Sequence, residues 1–302
     1  MQGLNNALDR VTIVIVTYFS ADCIAALAPV LNQCAHVVIV DNGSTDSTQQ
    51  LVAKLIKNAK FISLPKNLGF GAANNIGFAA CTTEFALITN PDVFFDIAAV
   101  QRLLQTADQY KEAAFVAPQL VGKNGNPDTS YRWPRNQWKS SGELAQGPIC
   151  TGFVTGAFIL ARKSCLETLK GFDEEFFLYY EDEDLCQRAF NAHMTIIVDP
   201  GAVVTHFSRG SVKTQSALKG EFFRAQHHTR SKFLFERKHS PRFQRQGAWP
   251  MLMKLWLQAM IALLFRLIIP STKYTVYLGR VLGRIAGLAK LTLININFPS
   301  KL

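Results

Sequence analysis

The chain has 302 residues, 48% of them hydrophobic and 18% charged, which excludes a disordered chain and predicts one large globular domain with an appendage, or two ordinary domains. The formal net charge of +10 is unevenly divided: residues 201–302 carry 17 Lys and Arg against 2 Asp and Glu, a net +15, which leaves −5 for residues 1–200, so the basic part calls for an anionic partner. Six cysteines without a C-x-x-C pair exclude a zinc ribbon or a secreted disulfide framework and predict buried thiols, and the polar stretch from Met1 to Arg10 does not read as a signal peptide, so a cytosolic start is expected.

In chain order, short β-branched runs alternate with helix-compatible segments, the pattern of βαβ units and a mainly parallel sheet with helices on both faces. Val11–Thr17 reads as a strand, followed by a helix over 21–31. Val37–Val40 precedes a helix over 47–57, Phe61–Leu64 a helix over 72–80, and Phe85–Thr89 a helix over 97–109. Residues 123–147, rich in Gly, Pro, Asn and Trp without periodicity, read as an irregular surface excursion. An apolar strand returns at Phe153–Leu160. Gly171 to Glu175 then leads into an acidic, helix-prone run through Ala189, and a short strand, Thr195–Val198, ends before Asp199-Pro200-Gly201. Beyond residue 211 the composition becomes basic and helical. There Lys254, Gln258 and Arg266 recur at multiples of four on an otherwise apolar segment, and Lys273, Arg280 and Arg284 fall on one side of a second helix. Both patterns suit helices lying at an anionic membrane surface, and a packed helical subdomain is the alternative.

In open α/β sheets ligands bind beyond the carboxyl ends of the strands, so the residues just after each strand are where chemistry is expected. After the second strand comes Asp41-Asn42-Gly43-Ser44-Thr45-Asp46, an acidic tip with a glycine turn and helix-capping residues, which also suits a plain turn. After the fourth comes Asn90-Pro91-Asp92, whose carboxylate is a natural oxygen ligand for a hard divalent cation on a diphosphate. The densest acidic feature is Tyr179-Tyr180-Glu181-Asp182-Glu183-Asp184. Clustered carboxylates beside aromatics raise one another's pKa and can poise one as a general base, whereas a solvated helix N-terminus would offset its dipole with the same residues. His206 follows strand-like residues.

Taken together and in one order, Val11 to Tyr18, Asp41 to Asp46, Asn67-Leu68-Gly69-Phe70-Gly71-Ala72-Ala73-Asn74-Asn75, Asn90 to Val93, Gly171 to Arg188, and His206 resemble family 2 of the inverting glycosyltransferases, and more narrowly the bacterial rhamnosyltransferase branch that builds O-antigen and related polysaccharides. The resemblance covers about residues 11–211. It implies a GT-A (Rossmann-like nucleotide-diphospho-sugar transferase) α/β catalytic domain over 1–210, with residues 211–302 as a basic, amphipathic helical region that meets the membrane. It further implies a donor site of Thr17, Tyr18, Asp41, Asn67, Gly69, Phe70, Asn74, Asn90 and Asp92, and a divalent cation, Mg²⁺ or Mn²⁺, on Asp92 and His206. Asp182 corresponds to the catalytic base, and Thr155, Gly156, Ala157 and Glu181 border the acceptor. The family's usual Asp-x-Asp reads Asn90-Pro91-Asp92 here, as in the rhamnosyltransferase branch. The partners implied are a nucleotide-diphosphate sugar, dTDP-rhamnose or another UDP-, GDP- or dTDP-hexose, and a polyprenyl-diphosphate-linked glycan acceptor. The expected location is cytoplasmic, peripheral on the inner face of the plasma membrane.

Two other classes compete. Gly69-x-Gly71-x-x-Asn74 after a strand, with Asp92 about 20 residues on, suggests a dinucleotide-dependent oxidoreductase. The third glycine is replaced by Asn74, and the motif follows the third strand rather than the first. Arg224, His227, His228, Arg230 and Lys232 interleave with aromatics as in a nucleic-acid binder, but that reading leaves the acidic strand tips unexplained. No nucleic acid is expected as a partner.

Overall fold

A computed structural model describes residues 7–128, 131–132, 144–207, 217–241, 249–265, 277 and 279–287. Twelve strands and eight helices of the described residues are used below. In order they are β1 (Val11–Thr17), α1 (Ala21–Leu31), β2 (His36–Asp41), α2 (Thr48–Leu55), β3 (Ala59–Ser63), α3 (Phe70–Ala79), β4 (Phe85–Thr89), β5 (Val93–Phe94) and α4 (Ile97–Gln109). There follow β6 (Ala113–Val121), β7 (Pro127–Asp128), β8 (Tyr131–Arg132), β9 (Ile149–Thr151), β10 (Phe153–Val154), β11 (Phe158–Arg162), α5 (Lys163–Leu169), α6 (Glu181–Asn191), β12 (Thr195–His206), α7 (Ala217–His239) and α8 (Trp249–Phe265). Two compact units result. The first holds Met1–Glu175 and Glu181–Val212, and the second holds Phe176–Tyr180 and Lys213–Leu302.

In the first unit the main sheet has the order β3-β2-β1-β4-β11-β6-β12-β5. The first four strands are parallel. The sheet then becomes mixed, because β11 is antiparallel to both β4 and β6, β12 is parallel to β6 and β5 is antiparallel to β12. A mainly parallel sheet is therefore true of its first half only. Successive side chains of a strand point to opposite faces, and β1 shows it: Ile13 and Ile15 join the core with Ile24, Leu27 and Leu103 of α1 and α4, while Val14 joins the core with Leu166 and Leu185 of α5 and α6.

Helix α4 illustrates how local sequence sets an element. Asp96 caps it by accepting from the Ala99 N–H at 2.8 Å, and Ala99, Val100, Leu103, Leu104 and Ala107 make its buried stripe. Helix α3 buries Gly71, Ala72, Ala73, Asn74 and Gly77, small residues that let its axis approach the sheet.

Three features differ from the sequence expectation. Strand β6, central in the sheet and buried along most of its length, has no period-2 pattern to betray it, since both faces are covered. Its Pro118 lies opposite Asp199, where the β12 register shifts between Asp199 and Val203, so the missing N–H falls at a bulge. That bulge is Asp199-Pro200-Gly201, read above as the end of a strand. Instead β12 runs on to His206 because Asp199, fully buried, is locked by Arg102 Nε at 2.8 Å, Thr106 and the Gly201 N–H. The stretch Phe153–Leu160 is two strands, as β10 pairs with β8 in a separate small sheet.

In the second unit Phe176, Phe233, Leu234, Phe235 and Leu255 form a core with Tyr180 against it. The basic run that gave the rejected nucleic-acid reading is partly used internally. Arg224 pairs with Glu221, His227 stacks on Phe177, and His228 meets Tyr179 and Tyr180. Burial, and then the Lys232 and Arg284 charges, pulls the His228 imidazole below its usual pKa, favouring the neutral form. Arg280 pairs with Glu221 and Arg284 donates to Gln258, so these two are not a free basic face. Arg266 and Lys273 lie outside the described residues, and no described helix is long and apolar enough to cross a membrane.

Candidate active site

Strands β1, β2 and β4 are parallel, and β12 runs the same way through β6 and β11, so Thr17, Asp41, Thr89 and His206 end at one edge of the sheet. At that edge Asp41 is 2% exposed and accepts three bonds: from Thr17 Oγ1 at 2.9 Å, Ser44 N–H at 2.9 Å and Ser44 Oγ at 2.6 Å. Ser44 Oγ in turn accepts from the Phe19 N–H. The carboxylate thereby fixes the β1 and β2 loops around Tyr18. Asn42 ties the next loop to them, donating to Gly69 O at 3.0 Å and accepting from the Leu68 N–H at 2.8 Å. Gly43 has φ +83, and a Cβ there would stand 2.8 Å from the Lys66 carbonyl carbon, so the two loops touch only because no side chain intervenes.

Asp92 is 3% exposed on the turn from β4 to β5. The Asn90 N–H bonds Ala157 O, the Val93 N–H bonds Asn90 O, and the Phe207 N–H bonds Asp92 O. His206 is in register with Val93, which brings its Nε2 to 3.6 Å from Asp92 Oδ1. Two ligands at right angles on one ion at ~2.1 Å lie about 3 Å apart, so the pair fits a shared divalent cation after a small shift. No group of three or more His, Cys, Asp or Glu among the described residues forms a metal site. An ion here would take its remaining ligands from a bound diphosphate and water.

Helix α6 places four acidic residues in its first turn, and their surroundings separate them. Asp182 is half-buried. Its Oδ2 accepts from the Gly156 N–H at 2.9 Å and lies 3.4 Å from Thr155 Oγ1, and its Oδ1 accepts from the Glu183 N–H at 2.9 Å. Glu181 is 6% exposed and its Oε2 is buried without a hydrogen-bond partner. Burial, and secondarily the Asp182 charge, holds the Glu181 carboxyl well above the usual carboxylate range. Asp184 pairs with Arg188 at 2.7 Å, and Arg188 also bonds Leu169 O and Gly171 O. One residue of the cluster is thus buried with its carboxyl pKa raised, one is paired with an arginine, and Asp182 is held facing the turn between β10 and β11. Tyr179 and Tyr180, just before it, both have positive φ, which is costly for side chains of this size.

The expected residues therefore gather in three groups: Thr17 with Asp41, Asp92 with His206, and Asp182 with Thr155 and Gly156. Phe70 borders the last, since a Cβ on Gly156 would be 3.4 Å from its ring and 3.3 Å from Asp182 Cβ. Tyr18, Asn67 and Asn90 are half-buried, and Ala157 is buried in the core. Gly69 caps α3 with φ +96. Glu181, expected to border an acceptor, is buried instead, and so is Asn74, which donates to Phe70 O. Sequence reasoning missed Asn42 and Asn75. Asn75 accepts from the Phe172 N–H and donates to Phe172 O, joining α3 to the segment ahead of α6. Neither has a sequence signal beyond its place beside a glycine turn or on a helix face, whereas Asp184 and Arg188 carry the readable i, i+4 spacing.

A mixed α/β sheet of this order, with the Asp41 loop, the Asp92–His206 pair and half-buried Asp182 at its carboxyl edge, is a GT-A-like architecture, that of a glycosyltransferase. The family description "Glycosyl transferase family 2" matches residues 12–169, and the chain belongs to that family. It is 26% identical over 301 residues, covering 87% of this chain and 94% of the relative, to the N-acetylglucosaminyl-diphospho-decaprenol L-rhamnosyltransferase of Mycobacterium tuberculosis. An O-antigen chain rhamnosyltransferase of Salmonella anatum is 27% identical over 182 residues, 58% of this chain and 57% of the relative. The fold is similar to that of a mannosyltransferase from Pyrobaculum calidifontis in complex with GDP-Man and Mn²⁺, with TM-score 0.57 and 16% identity, covering 93% of this chain and 86% of that one.

Proposed function

We propose that this glycosyltransferase moves rhamnose from dTDP-rhamnose, with inversion, onto a polyprenyl-diphosphate-linked glycan in cell-surface polysaccharide synthesis. The observation that carries the mechanism is Asp182, held by the Gly156 and Glu183 N–H groups beside the buried Glu181. Oriented by these two bonds, the Asp182 carboxylate takes the proton from the acceptor hydroxyl as that oxygen attacks the anomeric carbon from the face opposite the leaving diphosphate. A divalent cation on Asp92 and His206 would supply charge stabilisation to the departing diphosphate. Asp41, Thr17 and Ser44 hold the loops against which the nucleobase rests. Two relatives named as rhamnosyltransferases, together with Asn90-Pro91-Asp92, support the rhamnose donor and the lipid-linked acceptor.

The protein then works in the cytoplasm, peripherally on the inner face of the plasma membrane, where such an acceptor is embedded. The decisive experiment offers dTDP-rhamnose and UDP-, GDP- and other dTDP-hexoses to the full chain with a lipid-diphosphate N-acetylglucosamine acceptor, with and without chelator, and weighs the product. A deoxyhexose mass increment from dTDP-rhamnose that chelation abolishes is expected. A hexose increment from another donor, or turnover indifferent to chelator, would refute the donor or the cation respectively.

A further inference from the structure

Helix α8 is apolar on two opposite sides. On one side Leu255 is buried with Phe176, Phe233, Leu234 and Phe235. At 100° per residue, Met253, Trp256, Leu257, Met260 and Leu264 fall within an arc of about 100° on the far side. All five are exposed, Trp256 to 70% and Leu264 to 69%, in a stripe ~16 Å long. Large hydrophobics scattered singly on a surface are ordinary, but five aligned on one helix are a contact surface.

We propose that this outward face of α8 docks on an anionic lipid bilayer, lying in the boundary between headgroups and acyl chains; the proposal rests on the reading that the acceptor is lipid-linked. Charge decides the occupant. The face belongs to the part of the chain with a net +15 over residues 201–302, which anionic headgroups attract. A second copy would bring two such regions together, and a phosphate backbone would leave five apolar side chains in water. Trp256 carries an indole N–H that suits the wet edge of a bilayer, and exposed Lys254 flanks the stripe, able to reach headgroup phosphates while its stem lies on the apolar surface. The lipid contact thus lies on the apolar side of α8, not on Arg280 and Arg284, which are engaged by Glu221 and Gln258.

The test is co-flotation of the full chain with phosphatidylcholine vesicles, with and without phosphatidylglycerol. The triple variant Trp256→Ser/Leu257→Ser/Met260→Ser changes only exposed positions, so circular dichroism and transfer to a water-soluble short-chain acceptor should match the wild type. Its binding to anionic vesicles should fall at least ~10-fold, while Trp256→Phe keeps most of it. Undiminished vesicle binding by the triple variant overturns the proposal. So does a wild-type dimer, seen by light scattering, that the triple variant dissolves, because a second copy then covers the face. The vesicle readout needs no substrate, so a failed donor or acceptor assignment leaves its outcome intact.

Discussion

Replacing Asp182 with Asn exchanges the carboxylate for an amide of almost the same shape. In the wild type, Oδ2 accepts the Gly156 N–H and Oδ1 the Glu183 N–H, each at 2.9 Å. An amide has one acceptor oxygen, so whichever way the substituted side chain turns, its NH₂ faces one of these two donors. One charge-assisted bond is lost and one backbone N–H is left unpaired, at a cost of about 1–3 kcal/mol. A domain with a typical ~5–15 kcal/mol of stability stays folded under that loss, and the melting temperature should drop by a few degrees. The chemical step suffers more. Loss of a positioned general base lowers turnover by ~10²- to 10⁴-fold, or about 3–5 kcal/mol of barrier. The proposed donor site lies on other loops, so donor affinity should change less than about 3-fold. Turnover measured by product mass at saturating donor, with donor affinity by calorimetry, separates the two effects. Turnover within about 3-fold of wild type would falsify the assignment of Asp182 as base, and a parallel loss of donor affinity would move its role to donor binding.

Glu181→Gln should keep turnover within ~10-fold of wild type, because the side chain it replaces is buried and its Oε2 has no hydrogen-bond partner to lose. Its pH dependence carries a sign: the Glu181 carboxyl is held above its ordinary value of 4.5, so the wild type has its full stability below that pH and loses it as pH rises through the folded pKa. Melting curves of the two proteins should diverge in favour of Gln from pH 4.5 upward, and curves that stay parallel would contradict the burial argument. Asp92→Ala and His206→Ala should each weaken Mn²⁺ binding in the presence of donor nucleotide and cut turnover on the order of 10²-fold or more; a manganese titration that the two substitutions leave unmoved would remove the cation from this pair. Gly71→Ala would set a Cβ 2.9 Å from Phe172 Cβ and 3.7 Å from Glu181 Cβ, forcing the segment ahead of α6 outward. We expect a loss of about 1–3 kcal/mol in denaturant unfolding together with reduced turnover, and unaltered stability would show that the two segments are not packed as tightly as described.

Much was determined by local sequence alone. The alternation of β-branched runs with amphipathic segments set β1 to β4 and the helices between them, because those strands are parallel, continuous and bounded by polar tips. Asp41, Asp92, Asp182 and His206 were legible because they stand together, in one order, at strand ends or a helix start, in the pattern that resembles the family; each alone would read as a turn or a helix cap. Tertiary structure decided the rest. β6 escaped detection since a strand covered on both faces shows no periodicity, and the bulge at Asp199 lets β12 continue past a proline that reads as a stop. The same holds within the acidic cluster. Glu181, Asp182 and Asp184 are interchangeable as letters. Their surroundings differ only through what packs against them: burial without a partner for Glu181 Oε2, a backbone N–H and partial exposure for Asp182, and an arginine for Asp184. Desolvation and pairing are properties of the folded surroundings, so no reading of neighbouring residues along the chain could assign them.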